Sequence, residues 1–370
     1  MIYNAISFDK LPNLDQLLGK LKTVLGNLPI THRSPIEPII RDSDVFIVTR
    51  QMSGRYSLKP NISTQAALFR GESSFSYTAY TCRPRLFRKE PRYLVQNIKY
   101  EEFQIALESH PLFSLLRNGI KLSDNFVLRL YNPYGISMCY GFDTSLLSLT
   151  SDLDIAAFYA CCEQDENGNW QPVTYKDGEE KKGILYVFNM TAPFAMTPGL
   201  SSVGKQVFDR CGLQKSFAID IPRGQDFRNH KFVAGFVFKH DSDVSKRIFD
   251  NFNQGRSLAP TTDMLANKAR DILSSSFVSR TAFNRNLRAN PNDNQFFNEK
   301  EIRNKGYEID EERMPSFTEN ELNAYYDNSL HIWDAFCSDL VFNDRNGQQL
   351  LDELRRTPER EEYHNFFYRR

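Results

Sequence analysis

The unbroken apolar hexapeptide Gly183-Ile184-Leu185-Tyr186-Val187-Phe188 restricts the fold of this chain more than any other feature. A run this short, rich in β-branched and aromatic residues, reads as a buried strand. Partner strands are expected at Ala66 to Phe69, Leu146 to Thr150, Ser216 to Ile221 and Phe232 to Phe238, with a shorter one at Val45 to Val48. Phe126 to Tyr131 fits a strand or a short helix equally well.

Helical spacing is present too. Leu14, Leu17, Leu18, Leu21 and Leu25 recur at helical intervals within Asn13 to Leu25, and an amphipathic helix is predicted from Tyr93 to Ser109, ended by Pro111. Ser151-Asp152-Leu153-Asp154 reads as a helix opener, with Ser151 as the cap, before Ile155-Ala156-Ala157-Phe158-Tyr159-Ala160. Glu163 to Lys182 is polar and reads as a solvent-exposed hairpin or loop, and Pro29 to Pro38 as a turn-rich linker. After His240 helices dominate the pattern, at Asp243 to Phe252, Met264 to Leu273, Glu319 to Phe336 and Gln348 to Arg356. The expectation is an α+β fold in three parts: an accessory segment over 1–63, an α+β domain over 64–250 and a mostly helical region over 251–370.

Composition removes several classes of function. Lys+Arg and Asp+Glu both number 46, so the chain has no excess positive charge with which to coat nucleic acid, although a local basic pocket is compatible with that balance. No run of 18 apolar residues suggests a membrane span, and no basic leader precedes the first apolar stretch, so a cytoplasmic protein is expected. The cysteines, Cys82, Cys139, Cys161, Cys162, Cys211 and Cys337, contain no C-x-x-C pair and fit reduced thiols. With 29 Phe and 17 Tyr against 2 Trp, the core should be aromatic.

Familiar catalytic signatures are absent: there is no phosphate-binding G-x-x-x-x-G-K-[ST] loop, no G-x-G-x-x-G, no H-E-x-x-H and no G-x-S-x-G. The six histidines are scattered, and no metal site is predicted. What remains is a set of polar residues at the ends of apolar segments. Arg70 follows a strand and precedes Gly71; its planar guanidinium suits a phosphate, or equally a salt bridge to Glu72. Ser148-Leu149-Thr150-Ser151 lies at a strand-to-helix junction, where hydroxyls and free amides hold an anion or ribose, or Ser151 merely caps the helix. Gln214 precedes the strand at Ser216.

Together these residues resemble the FRG domain family, named for a Phe-Arg-Gly motif that stands here as Phe69-Arg70-Gly71. Its second block is similar to Cys139-Tyr140-Gly141-Phe142-Asp143-Thr144-Ser145-Leu146-Leu147-Ser148-Leu149-Thr150 followed by Ala156-Ala157-Phe158-Tyr159-Ala160, and its third to Arg210 through Phe217 around Gln214. This chain departs from the family where Cys139 replaces a histidine, Ser145 an arginine and Ser148 an aspartate. Ser145 and Ser148 are consistent with the joint loss of one structural ion pair. Cys139 is a packing thiol or a nucleophile.

The order of the blocks is also similar to the ADP-ribosyltransferase fold, which implies a mixed or split β-sheet core with flanking helices. The resemblance implies NAD as cofactor, held by Arg70, Gly71, Ser148, Thr150 and Ser151, with Arg70, Thr150 and Gln214 catalytic. Gln214 cannot serve as a general base, so Glu72, Glu101 or Glu102 is expected to supply a carboxylate. The acceptor would be a protein or nucleic acid. The alternatives are a non-catalytic module for a nucleotide, nucleic acid or phosphopeptide, and a phosphodiester or nucleotide hydrolase.

Overall fold

The computed structural model describes residues 10–26, 46–50, 56–60, 67–75, 84, 93–110, 120–123, 126–128, 132–165, 168–175, 179–189, 199–204, 208–289, 298–323 and 349. In chain order its helices are α1 (Leu14–Gly26), α2 (Tyr93–Ser109), α3 (Pro133–Cys139), α4 (Leu153–Cys161), α5 (Asp209–Leu213), α6 (Ser242–Asn251), α7 (Met264–Ser274), α8 (Arg280–Ala289) and α9 (Glu299–Asn304). The strands are β1 (Phe46–Arg50), β2 (Tyr56–Pro60), β3 (Ala67–Glu72), β4 (Ile120–Ser123), β5 (Phe126–Leu128), β6 (Leu146–Thr150), β7 (Cys162–Gln164), β8 (Trp170–Pro172), β9 (Lys182–Asn189), β10 (Leu200–Ser202), β11 (Ser216–Asp220), β12 (Val233–Lys239), β13 (Phe277–Ser279) and β14 (Glu308–Asp310). The linker read at 29–38, the helix expected beyond residue 323 and, save residue 349, that at 348–356 lie outside the described residues.

Six strands form the central sheet in the order β10-β11-β6-β3-β9-β12, with every neighbouring pair antiparallel. The apolar hexapeptide lies in β9, buried between β3 and β12. Its alternate side chains enter different cores, as the two-residue period of a strand requires. Leu185 and Val187 join Phe69, Phe236 and Phe238 beneath α4 and α1. Ile184, Tyr186 and Phe188 face the other way, into Leu68, Leu149, Phe217 and Phe227. The leucines of α1 are buried in the first of these cores, so that part of segment 1–63 packs directly on the α+β unit.

The pairing along the sheet is uneven. β3 matches β9 over six positions, from Ala67↔Asn189 to Glu72↔Ile184. Against β6 it makes one register pair, Phe69↔Thr150. The sheet is therefore two three-stranded halves meeting along a narrow seam, α+β with a mostly antiparallel core. A second, four-stranded sheet has the order β1-β2-β5-β4, which assigns the ambiguous stretch at 126–128 to a strand.

Two local expectations are corrected. The first concerns β3, which continues through Arg70 and Gly71 to Glu72, so Arg70 lies inside a strand and not at its end. Gly71 permits this: a Cβ there would lie 1.9 Å from the Ala156 carbonyl oxygen and 2.6 Å from the Ala160 amide nitrogen. The glycine lets α4 lie directly on β3, with Ala156 and Ala160 as the facing small residues. The second concerns the cap of α4, which is Asp152; its carboxylate accepts from the amides of Asp154 (2.9 Å) and Ile155 (3.2 Å). Burial acts against this carboxylate, but the Lys215 ammonium at 2.6 Å and the two amides outweigh it and hold Asp152 below the usual carboxylate range.

Residues beyond 250 attach through α2. Val95 and Ile98 pack with Val278, Ala282, Phe283 and Ile302. Lys99, 2% exposed, donates to the carbonyls of Leu273 (2.7 Å) and Ser275 (2.9 Å), closing the C-terminal end of α7. Desolvation lowers its pKa.

Candidate functional site

A cavity of about 500 Å³ opens beside the seam, between the Glu72 end of β3, β6, α3, α5 and the β7–β8 hairpin. It gathers Arg70 and Gly71, Ser148 and Thr150, and Gln214, from stretches far apart in sequence. Ser151 does not line it. That side chain is buried, and among the described residues its hydroxyl has no hydrogen-bond partner, so Ser151 stands apart from the other expected site residues.

Arg70 and Glu72 are two positions apart on one strand and so share a face. Arg70 Nε donates to Glu72 Oε1 at 2.9 Å, with the two side chains 16% and 6% exposed. Arg70 Nη1 donates to the Ser148 carbonyl at 3.0 Å. That second bond crosses the seam, where the ladder between β3 and β6 has ended. Arg70 thus fastens the two half-sheets, and its charge is met by an adjacent carboxylate.

Thr150 holds the backbone at Gln214. The Thr150 hydroxyl donates to the Gln214 carbonyl at 2.9 Å and accepts from the Asp152 amide at 3.1 Å. Gln214 follows α5 and leads into Lys215, whose φ of 44° turns the chain sharply into β11. The Gln214 side-chain amide donates to the Leu258 carbonyl at 3.2 Å. Among the described residues the Ser148 hydroxyl has no such partner, and it lines the cavity.

Four further residues of this wall are not among the site residues expected from sequence: Arg210, which opens the third block, Tyr159, which lies in the helix of the second, and Glu163 and Trp170. Arg210 stands one helical turn before Gln214, whose amide donates to its carbonyl at 3.0 Å. Its guanidinium lies 4.9 Å from the centre of the Tyr140 ring, and its buried Nε has no acceptor among the described residues. Tyr140 is fixed in turn, because its hydroxyl donates to Asp263 at 2.8 Å. Burial first, and then the Asp263 charge, keep that phenol far above the ordinary tyrosine range.

Glu163 brings a carboxylate that has no ion pair among the described residues. Tyr159 and Trp170 meet edge to face at 5.5 Å. The stretch expected to be a solvent-exposed hairpin or loop forms the β7–β8 hairpin, and through Glu163 and Trp170 it supplies part of the cavity wall. Trp170 is one of only two tryptophans, set in an otherwise polar segment, and was the available signal.

The other expected carboxylates fall elsewhere. Glu72 reaches the cavity but holds Arg70. Glu101 and Glu102, on α2, do not line it. Glu102 accepts from the Ser279 amide (2.7 Å) and Arg313 (3.0 Å), while Glu101 lies 3.6 Å from Arg285. Burial raises the pKa of both. Cys139 lines the cavity half-buried and hydrogen-bonds the Cys211 thiol, which burial pushes well above its ordinary range. Among the described residues no three His, Cys, Asp or Glu side chains are grouped as metal ligands.

Comparison with protein-family models, with curated proteins and with solved structures finds no match. No helix among the described residues is long and apolar enough to cross a membrane.

Proposed function

We propose that this cavity binds NAD and that the surrounding unit is an ADP-ribosyltransferase-like domain, modifying a protein or nucleic-acid acceptor. One observation carries the reading: the three stretches that resemble the FRG and transferase blocks converge on a single cavity through Arg70, Ser148, Thr150 and Gln214. The narrow seam supports it as well, because the arginine strand and the serine-threonine strand are neighbours in a sheet that divides between them.

In this reading an arginine cation takes the pyrophosphate, and the Ser148 hydroxyl orients the ribose. Tyr159 and Trp170 offer aromatic surface to a planar ring. The bond between the nicotinamide nitrogen and ribose C1′ breaks, and its electron pair leaves with nicotinamide. The acceptor's nucleophilic atom forms the new bond to C1′ and gives up its proton to solvent. Glu163 is the carboxylate available to stabilise positive charge on the ribose.

A non-catalytic nucleotide-binding module is the second reading. It is favoured by the Thr150 hydroxyl, whose donor and acceptor roles are both taken up by the backbone. Calorimetry with NAD, together with nicotinamide release by wild type and Glu163→Gln, separates the two. Release that falls in Glu163→Gln supports the transferase. NAD binding without release selects the binding module, and a wild-type protein that neither binds NAD nor releases nicotinamide rejects both.

A further inference from the structure

The cavity contains two arginines whose situations differ. Arg70 is already engaged, through Nε to Glu72 and Nη1 to the carbonyl of Ser148. A phosphate arriving there would meet a cation that already has a carboxylate partner. Arg210 has no carboxylate in ion-pair contact among the described residues, and its Nε is buried with no acceptor. A guanidinium is charged at any physiological pH and carries five N–H donors in a rigid fork. Buried donors of this kind are normally satisfied, so an unmet Nε on an arginine that lines a cavity points to an acceptor that a ligand would bring.

The orientation of that fork is also set. Tyr140 supports the guanidinium from one face, and Asp263 holds Tyr140, at the same time accepting from the Ala266 amide at the start of α7. Ser148 and Gln214 line the same cavity as Arg210.

We infer that Arg210 is the anion-binding residue of this cavity and takes the diphosphate of a nucleotide through its fork, while Arg70 acts as the fastener between β3 and β6. This inference rests on the nucleotide reading given under Proposed function, and it moves the phosphate contact from the residue of the Phe-Arg-Gly motif to a residue of the third block.

The test titrates the full chain with ADP, adenosine and inorganic pyrophosphate by calorimetry at fixed salt, for wild type, Arg210→Gln, Arg210→Lys and Arg70→Gln. Arg210→Gln should weaken ADP binding by roughly tenfold or more and leave adenosine within about twofold, because the lost contacts are charge-assisted bonds to the diphosphate. Arg210→Lys keeps a point charge without the fork and should recover only part of the loss. Should Arg210→Gln fail to fold, Arg210→Lys decides alone: ADP weakened selectively over adenosine supports the inference, and ADP unchanged overturns it.

ADP bound equally by wild type and Arg210→Gln overturns it too, as does an ADP loss confined to Arg70→Gln. Pyrophosphate binding that depends on Arg210, with no binding of ADP or adenosine, would retain the anion site and remove the nucleotide reading. A wild-type protein that binds none of the three ligands removes both.

Discussion

The guanidinium of Arg210 lies over the ring of Tyr140 at 4.9 Å, and the hydroxyl of that tyrosine donates to Asp263 at 2.8 Å. Tyr140→Phe keeps the ring but strips a buried carboxylate oxygen of its donor, which should cost about 1–3 kcal/mol of stability. Tyr140→Leu also removes the aromatic face, so its ADP affinity should fall below that of Tyr140→Phe. Urea unfolding and nucleotide titration of the two variants check both statements. Equal affinities would disconnect the ring from the placement of Arg210.

Arg70 should behave as a structural residue. Arg70→Met takes the guanidinium from Glu72, a side chain 6% exposed, and should destabilise the protein by on the order of 3 kcal/mol. Adding Glu72→Leu should restore part of that loss, since removing both partners leaves no carboxylate stranded. A double-mutant cycle on unfolding free energies gives the coupling, and strictly additive losses would contradict the ion-pair account.

Gly71→Ala probes the contact between α4 and β3. The added methyl would meet backbone atoms of Ala156 and Ala160, which cannot rotate away as a side chain can. The helix must shift, so a loss of about 3 kcal/mol or more is expected, at the upper end of overpacking costs. The denaturation midpoint measures it. A near-neutral result would mean that α4 does not pack as closely as described.

His110 gives the protein an acid-sensitive core. It is 2% exposed, edge-on to Phe208 at 5.1 Å and Phe317 at 5.6 Å, and burial lowers its pKa to about 3. As pH falls below the ordinary histidine value of about 6.5, the unfolded chain takes up a proton that the folded chain refuses until near 3, so stability is lost across that window. At pH 5 the loss should be about 2 kcal/mol. His110→Phe should flatten the fall in unfolding free energy between pH 7.5 and 5. An unchanged fall would assign it to other groups.

Much of the fold was legible because its signals are local. The apolar hexapeptide, the leucine spacing of α1 and the pattern of α2 report their own faces. The end of β3 was misread because Arg70-Gly71-Glu72 breaks the apolar run, and the helix that needs the glycine lies some 85 residues away. α3 carries its own local signature: Asn132 accepts from the Gly135 amide, and Pro133 occupies the first turn. Ser151 and Asp152 are both good caps by type, and sequence alone could not choose between them. The convergence of Arg70, Ser148, Thr150 and Gln214 was legible from block order. That Arg70 has a carboxylate partner, and Arg210 none among the described residues, depends on which side chains stand opposite each, and no spacing rule reports that.

The seam between β3 and β6 divides the labour of holding the cavity wall. Across it the backbone contributes the Phe69↔Thr150 pair and accepts the Arg70 bond at Ser148, while β3 has a six-residue ladder to β9 and β6 has five register pairs with β11. The two halves are therefore joined chiefly by side chains, through Arg70 and the buried core that Leu68 and Tyr186 share with Leu149 and Phe217, and the alignment of Arg70 with Ser148 depends on that core more than on any ladder.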